Sequence, residues 1–263
     1  MPTTAPNQEE AGAAAAAVTL FERVPDGVSL LNDFDIKQKL LQWNLDATLQ
    51  LQRFHVRTRI TEDSDAELIA RFFQDADVRA ALVLPPLRDD KCGSTVQSHR
   101  LRTSVTSLAF FDRLAAAGIV SANGALRRCA DEWFDGAVAS DLLTELLVNP
   151  ESEHAKLFDA DEQDELLFRL LRALVVGGTL CQSDDTFAPY EDAAARFYRA
   201  LVSVVKAAGG GSVVATSRVY EVAGDAVFVS KGESVSRHSS CFVVLDARKR
   251  WLTLWRNDFR AFW

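Results

Sequence analysis

The sequence predicts an α+β fold. A mostly helical middle is closed by a C-terminal antiparallel β-sheet, in a single compact domain over residues 17–263 behind a disordered Ala-rich tail of residues 1–16. Three observations lead there. Through the middle of the chain, apolar side chains recur at the three- and four-residue spacing of one helix face. Over the last fifty residues the pattern changes to runs of β-branched and aromatic residues. Neither an internal repeat nor the strand–helix–strand alternation of a parallel sheet is present.

The elements follow in order. The tail is mainly Pro, Thr, Gln, Glu and Ala, too little apolar surface to offset its ordering entropy. Val18 to Phe21 reads as a first strand. Asp35 to Leu45 reads as an amphipathic helix with Ile36, Leu40, Leu41 and Trp43 on one side, and Leu49 to Ile60 alternates as a strand does. Ser64 and Glu67 have capping-box spacing before a helix carrying Leu68, Ile69, Phe72 and Phe73. Residues 85–100 read as a loop and a possible internal boundary. A helix from Ser107 to Ala117 ends at Gly118, a short strand covers Leu126 to Cys129, and Ser140 or Asp141 caps a helix that stops at Asn149-Pro150. The strongest helix runs from Ala160 to Val176 behind a second box, Asp159 and Glu162, and Gly177-Gly178 ends it. A helix from Tyr190 to Lys206 closes at Gly209 to Gly211. Strands follow at 213–216, 219–222 and 227–229, then a hairpin of Phe242 to Leu245 and Trp251 to Trp255.

Composition narrows the function classes. With 263 residues, 48% hydrophobic and 25% charged, the chain can bury a core without disulfide or metal staples. A net charge of −8 removes the electrostatic term on which nucleic-acid binding depends and disfavours an anionic membrane surface. Cys92, Cys129, Cys181 and Cys241 form no CxxC pair and read as reduced, mostly buried thiols. The start lacks the basic and apolar regions of a secretory signal, and no run reaches the roughly 18 apolar residues of a membrane span. Cytosol, or a compartment continuous with it, is the expectation.

Catalytic patterns are thin. No dinucleotide fingerprint, phosphate loop, zinc-protease helix, nucleophile elbow or calcium loop occurs. His238 and Cys241 supply two ligands where a structural zinc takes four, so neither metal nor cofactor is expected. Cys181 as a nucleophile needs a base. Nothing in the sequence brings His154 or His238 to it, and Asp184 and Asp185 raise a neighbouring thiol's pKa by like charge. A small buried hydrophobe is the simpler reading, and a non-enzyme the expectation. Residues 151–165 carry seven acids against one lysine, whereas 248–260 are basic. Each is a partner-steering surface or simply a solvated one. Phe259, Phe262 and Trp263, spaced i, i+3, i+4, either dock on the core or form a partner hook.

The run Leu174 to Asp185, with its Gly-Gly-Thr-Leu-Cys-Gln core, then Pro189-Tyr190 and Leu201 to Val204, resembles the cilia- and flagella-associated protein 300 family. So do Leu40 to Trp43, Arg71 to Asp75, Ser107 to Leu114, and the segment Phe242 to Arg250. The resemblance implies a protein of cytoplasm and cilium or flagellum needed for outer and inner axonemal dynein arms. It would act in their cytoplasmic assembly or their delivery by intraflagellar transport, by binding dynein subunits, assembly factors or transport proteins. It carries no catalytic residues across. A permanent structural component of the axoneme is the alternative. A remoter one is a thiol enzyme using Cys181 with His238 and Asp246, an arrangement similar to that of papain-like and transglutaminase-like enzymes. For Gly177, Gly178, Gln182, Asp184, Asp185, Pro189 and Tyr190 the expectation is a flat or concave partner-binding patch where glycines admit a partner backbone. The competing reading is a core joint, with Gly177 as a C-cap and Asp184 or Asp185 as an N-cap.

Overall fold

Residues 19–87, 94–207, 213–228 and 235–259 are described by a computed structural model of the chain. The expected tail, Cys92, the triple glycine, Val229, Phe262 and Trp263 lie outside those residues.

Side-chain caps and turn residues set the element boundaries. Strand β1 (Phe21–Val24) precedes helix α1 (Phe34–Gln42), whose N-cap Asp33 accepts from the amides of Asp35 and Ile36. Strand β2 (Leu49–Val56) leads to α2 (Asp65–Gln74) and α3 (Ala76–Leu82), the latter capped by Asp75. Strand β3 (Gln97–Leu101) is followed by a 3₁₀ turn and the short α4 (Asp112–Ala116). Strands β4 (Arg128–Phe134) and β5 (Ala137–Asp141) form a hairpin across Asp135-Gly136. Both of those turn residues have positive φ, as a two-residue turn of matching twist requires. Asp141 caps α5 (Leu142–Val148). Helix α6 (Ala160–Gln163) carries the full Asp159/Glu162 capping box, and α7 (Leu166–Val176) ends at Gly177. Helix α8 (Ala188–Leu201), the small β6 (Val204–Lys206)–β7 (Val213–Ala215) ribbon, β8 (Arg218–Ala223), β9 (Ser240–Asp246) and β10 (Trp251–Asn257) complete the order.

Six strands join in one antiparallel sheet ordered β1-β2-β10-β9-β8-β3. Every residue of β9 is buried. Alternate side chains explain this: Phe242 and Val244 enter a core with α1, α5, α7 and α8, while Cys241, Val243 and Leu245 enter another with α2 and α3. An antiparallel sheet usually wets one face. Here helices cover both, so the central strands read as continuous apolar runs. Phe197 of α8 meets Trp255 edge-on at 4.8 Å, and Phe72 of α2 meets Phe21 and Phe54 at 5.1 and 5.0 Å.

Several expectations change. The sheet is not a C-terminal unit, because β1 and β2 add to its β10 edge and β3 to its β8 edge. The supposed 85–100 loop contains β3, an edge strand with one buried residue, Leu101. Helix 160–176 is two helices. Glu165 takes extended backbone and turns its carboxylate to the Ser104 and Val105 amides, at 3.1 and 3.3 Å. The 190–206 helix stops at Leu201 and continues as β6, and 107–117 is half 3₁₀ turn. Ser64 does not cap α2; already in a 3₁₀ turn, it donates to the Thr61 carbonyl at 3.0 Å. Val227 and Phe228 lie in a buried turn rather than a strand. The first strand begins at Phe21, and the second stops at Val56.

Candidate functional site: the glycine clasp

The end of α7 meets the end of α1 at two glycines. Gly177, the C-cap of α7, sits at φ +62°. A Cβ there would lie 2.7 Å from both Cys181 Sγ and the Trp43 carbonyl oxygen. A Cβ on Gly178 would lie 2.0 Å from the Asn44 carbonyl oxygen. The backbone that these glycines admit is this chain's own. The Gly178 amide donates to Trp43 O at 2.8 Å and the Gln182 amide to Gln42 O at 3.0 Å, while Gln42 Nε2 returns a bond to Gln182 O at 3.2 Å. Asn44 Nδ2 also donates to Thr179 O.

Side chains lock the joint. The Trp43 indole stacks on the Tyr190 ring with centroids 4.7 Å apart, and Tyr190 is 1% exposed. Asp184 gathers Lys39 Nζ and Trp43 Nε1, both at 2.8 Å, while its amide donates to the Tyr190 hydroxyl oxygen at 3.0 Å. Burial pushes the Tyr190 phenol up, so it stays neutral and accepts. Asp185 is exposed and pairs with Arg128 of β4, and its carbonyl accepts from the Leu126 amide at 2.8 Å. Neither aspartate caps α8. Its N-cap is Phe187, and Pro189 stands in its first turn.

Of the residues singled out from sequence, Gly177, Gly178 and Tyr190 are buried, Asp184 and Pro189 half-buried, and Gln182 and Asp185 exposed. Phe259 lies elsewhere, buried against Val148 and Val176, with its ring 5.2 Å from that of His238. Sequence reasoning passed over Leu180. It is 72% exposed at φ +63° between Gly178 and Cys181, so the clasp presents an apolar side chain from a left-handed backbone position. Its signal was a leucine two residues after a helix-ending Gly-Gly, where an outward apolar residue has no packing role.

The Cys181 thiol is pushed up to about 12, first by burial, with Ser183 opposing and Asp184 and Asp141 adding like charge. Asp185, expected to contribute, does not. A thiol held there is protonated at neutral pH, the opposite of an activated nucleophile. His238 belongs to a different place. Its Nε2 lies 2.7 Å from Phe134 O, and burial lowers its pKa to about 4. His238 and Cys241 are both buried rather than strand-edge residues. The acidic run is partly spent on internal pairs, Glu162–Arg113 and Asp164–Arg169 at 2.8 and 2.7 Å. The basic run buries Arg256, whose Nε donates to Val227 O at 2.8 Å. Among the described residues no group of three or more His, Cys, Asp or Glu is placed to hold a metal, and no helix is long and apolar enough to cross a membrane.

Fold and clasp together define a class: an α+β protein with a two-faced antiparallel sheet, whose most distinctive motif is an internal joint carrying an exposed loop. The chain belongs to the cilia- and flagella-associated protein 300 family, whose model matches residues 19–257. It is 31% identical over 247 residues to the Chlamydomonas reinhardtii protein of that name, covering 89% of this chain and 95% of the relative. The Paramecium tetraurelia protein of the same name is 26% identical over 194 residues, covering 74% and 77%. No solved structure matches.

Proposed function

We propose that the chain acts in the cilium or flagellum as a non-enzymatic binding factor for the assembly, or the intraflagellar-transport-dependent delivery, of outer and inner axonemal dynein arms. Membership of a cilia- and flagella-associated family supports the setting. The likeness of the Gly-Gly-Thr-Leu-Cys-Gln block supports the dynein-arm role. Partners are dynein subunits, arm assembly factors or transport proteins. The surface is the exposed loop of the clasp, Leu180, Gln182 and Asp185, seated on the joint of Gly177, Gly178, Asp184, Pro189 and Tyr190. Phe259 is docked on the core, so the second contact falls to Phe262 and Trp263.

One observation carries the choice of surface. Leu180 spends conformational energy on a left-handed backbone to hold an apolar side chain in water. Removing the protein from ciliated cells tests the function. Axonemes lacking both arm types in cross-section are expected, with the protein itself extracted from wild-type axonemes by salt. Intact arms would contradict the role. A pool that resists salt would favour a permanent axonemal component.

A further inference from the structure

A second feature lies away from the clasp. Between the end of α5, the outer side of α7 and β8 is a recess of about 330 Å³. Three guanidinium groups line it, from Arg169, Arg172 and Arg237, against one carboxylate, Glu221. Leu146, Phe158 and Phe168 add apolar lining.

Two of the three guanidiniums are in ion pairs, and one donor is left without an acceptor. Arg169 bonds Asp164 at 2.7 Å and reaches Glu221 at 3.6 Å, yet its Nε is buried with no acceptor. Arg237 pairs with Asp135 at 2.5 Å. Arg172 has no carboxylate within ion-pair reach among the described residues. Its Nε and one terminal nitrogen donate to the carbonyls of Leu147 and Arg237, at 3.1 and 3.2 Å. Burial, and then the like charge of Arg169, holds its pKa below the usual arginine value. Arg172 is half-buried beside two like charges, with Glu221 the one carboxylate acting on it, and the orphaned Arg169 N–H calls for an acceptor. Within the lining itself, three guanidiniums and one carboxylate stand beside apolar side chains.

We infer that this recess receives a carboxylate carried next to an apolar group: an Asp or Glu side chain with an apolar or aromatic neighbour, in an extended segment of a partner protein. Guanidinium donors match a carboxylate fork, and the apolar lining takes the neighbouring side chain. A bare phosphate satisfies the arginines but leaves that lining wet. The inference stands apart from the dynein-arm reading, since it concerns the chemistry of a partner and not its identity.

The test follows the arginine Nε–Hε signals of the full chain by NMR while three probes are added at millimolar concentration. The probes are the blocked dipeptide acetyl-Glu-Phe-amide, its neutral isostere acetyl-Gln-Phe-amide, and inorganic phosphate. Saturable shifts of the Arg169 and Arg172 signals are expected with the acidic dipeptide. Binding at least tenfold weaker is expected for the other two, and for the acidic dipeptide with Arg172→Gln. Equal binding of the neutral dipeptide removes the role of charge. Equal binding of phosphate makes the recess an anion site without a peptide preference. Shifts with none of the probes overturn the inference, and none of these results bears on the arms.

Discussion

Trp43 and Tyr190 stack at 4.7 Å with ring planes 20° apart, and the polar tips of both rings end on one residue, Asp184. Nearly 150 residues apart in sequence, the pair fastens the end of α1 to the start of α8 directly beneath the exposed loop.

Gly178→Ala is expected to destabilise the chain by about 3 kcal/mol or more, because backbone of Asn44 occupies the space of the added Cβ. Gly124→Ala is the internal control. Gly124 has φ +84° but open space around it, so the alanine adds only backbone strain, a cost of about 1 kcal/mol. Urea unfolding of both variants measures the difference.

Asp184→Asn weakens its bond to the Lys39 ammonium in a half-buried setting, an expected cost of about 1–2 kcal/mol. Asp185→Asn should change stability by less than about 0.5 kcal/mol, since that pair sits in water. Comparable losses for the two would mean that Asp184 is not the locking residue.

His238 makes stability pH-dependent. Burial lowers its pKa from 6.5 to about 4, partly opposed by its bond to Phe134 O. In the unfolded chain the imidazole takes up a proton near 6.5; in the folded chain it does not until about 4. Stability is thus flat above the unfolded value and falls as pH drops through that window, by about 3 kcal/mol at its foot. His238→Gln should flatten the decline between pH 6.5 and about 5, above the range where carboxylates titrate. Thermal melts across pH read this directly.

Where local chemistry decided the structure, the sequence was legible. The Asp159/Glu162 box, the Asp141 cap, the apolar stripe of α7 and the β9–β10 hairpin need only neighbours in the chain. What escaped is set by distant partners. Strand β3, Gln97 to Leu101, is polar because it is an edge, and it lacks the alternation that marks a half-buried strand. The break before Leu166 exists because Glu165 is held by Ser104 and Val105, some sixty residues upstream. Asp135-Gly136 is a hairpin signal legible in the sequence. At the clasp, the glycines marked a close backbone approach. That the approaching backbone is the turn Trp43-Asn44 of the same chain is visible only in the folded protein.

Leu180 separates stability from binding, which makes it the sharpest probe of the proposed surface. Leu180→Gly relieves the left-handed backbone and deletes the apolar side chain, so the free chain should be as stable as wild type or up to about 1 kcal/mol more so. The decisive measurement is a cross-linking pull-down from ciliated cells with tagged wild-type and Leu180→Gly protein, each first shown to be folded by its melting transition. Loss of dynein-arm subunits, assembly factors or transport proteins from the variant, with undiminished stability, is the predicted result. Capture of the same proteins in the same amounts by both would contradict the loop of the clasp as the binding surface.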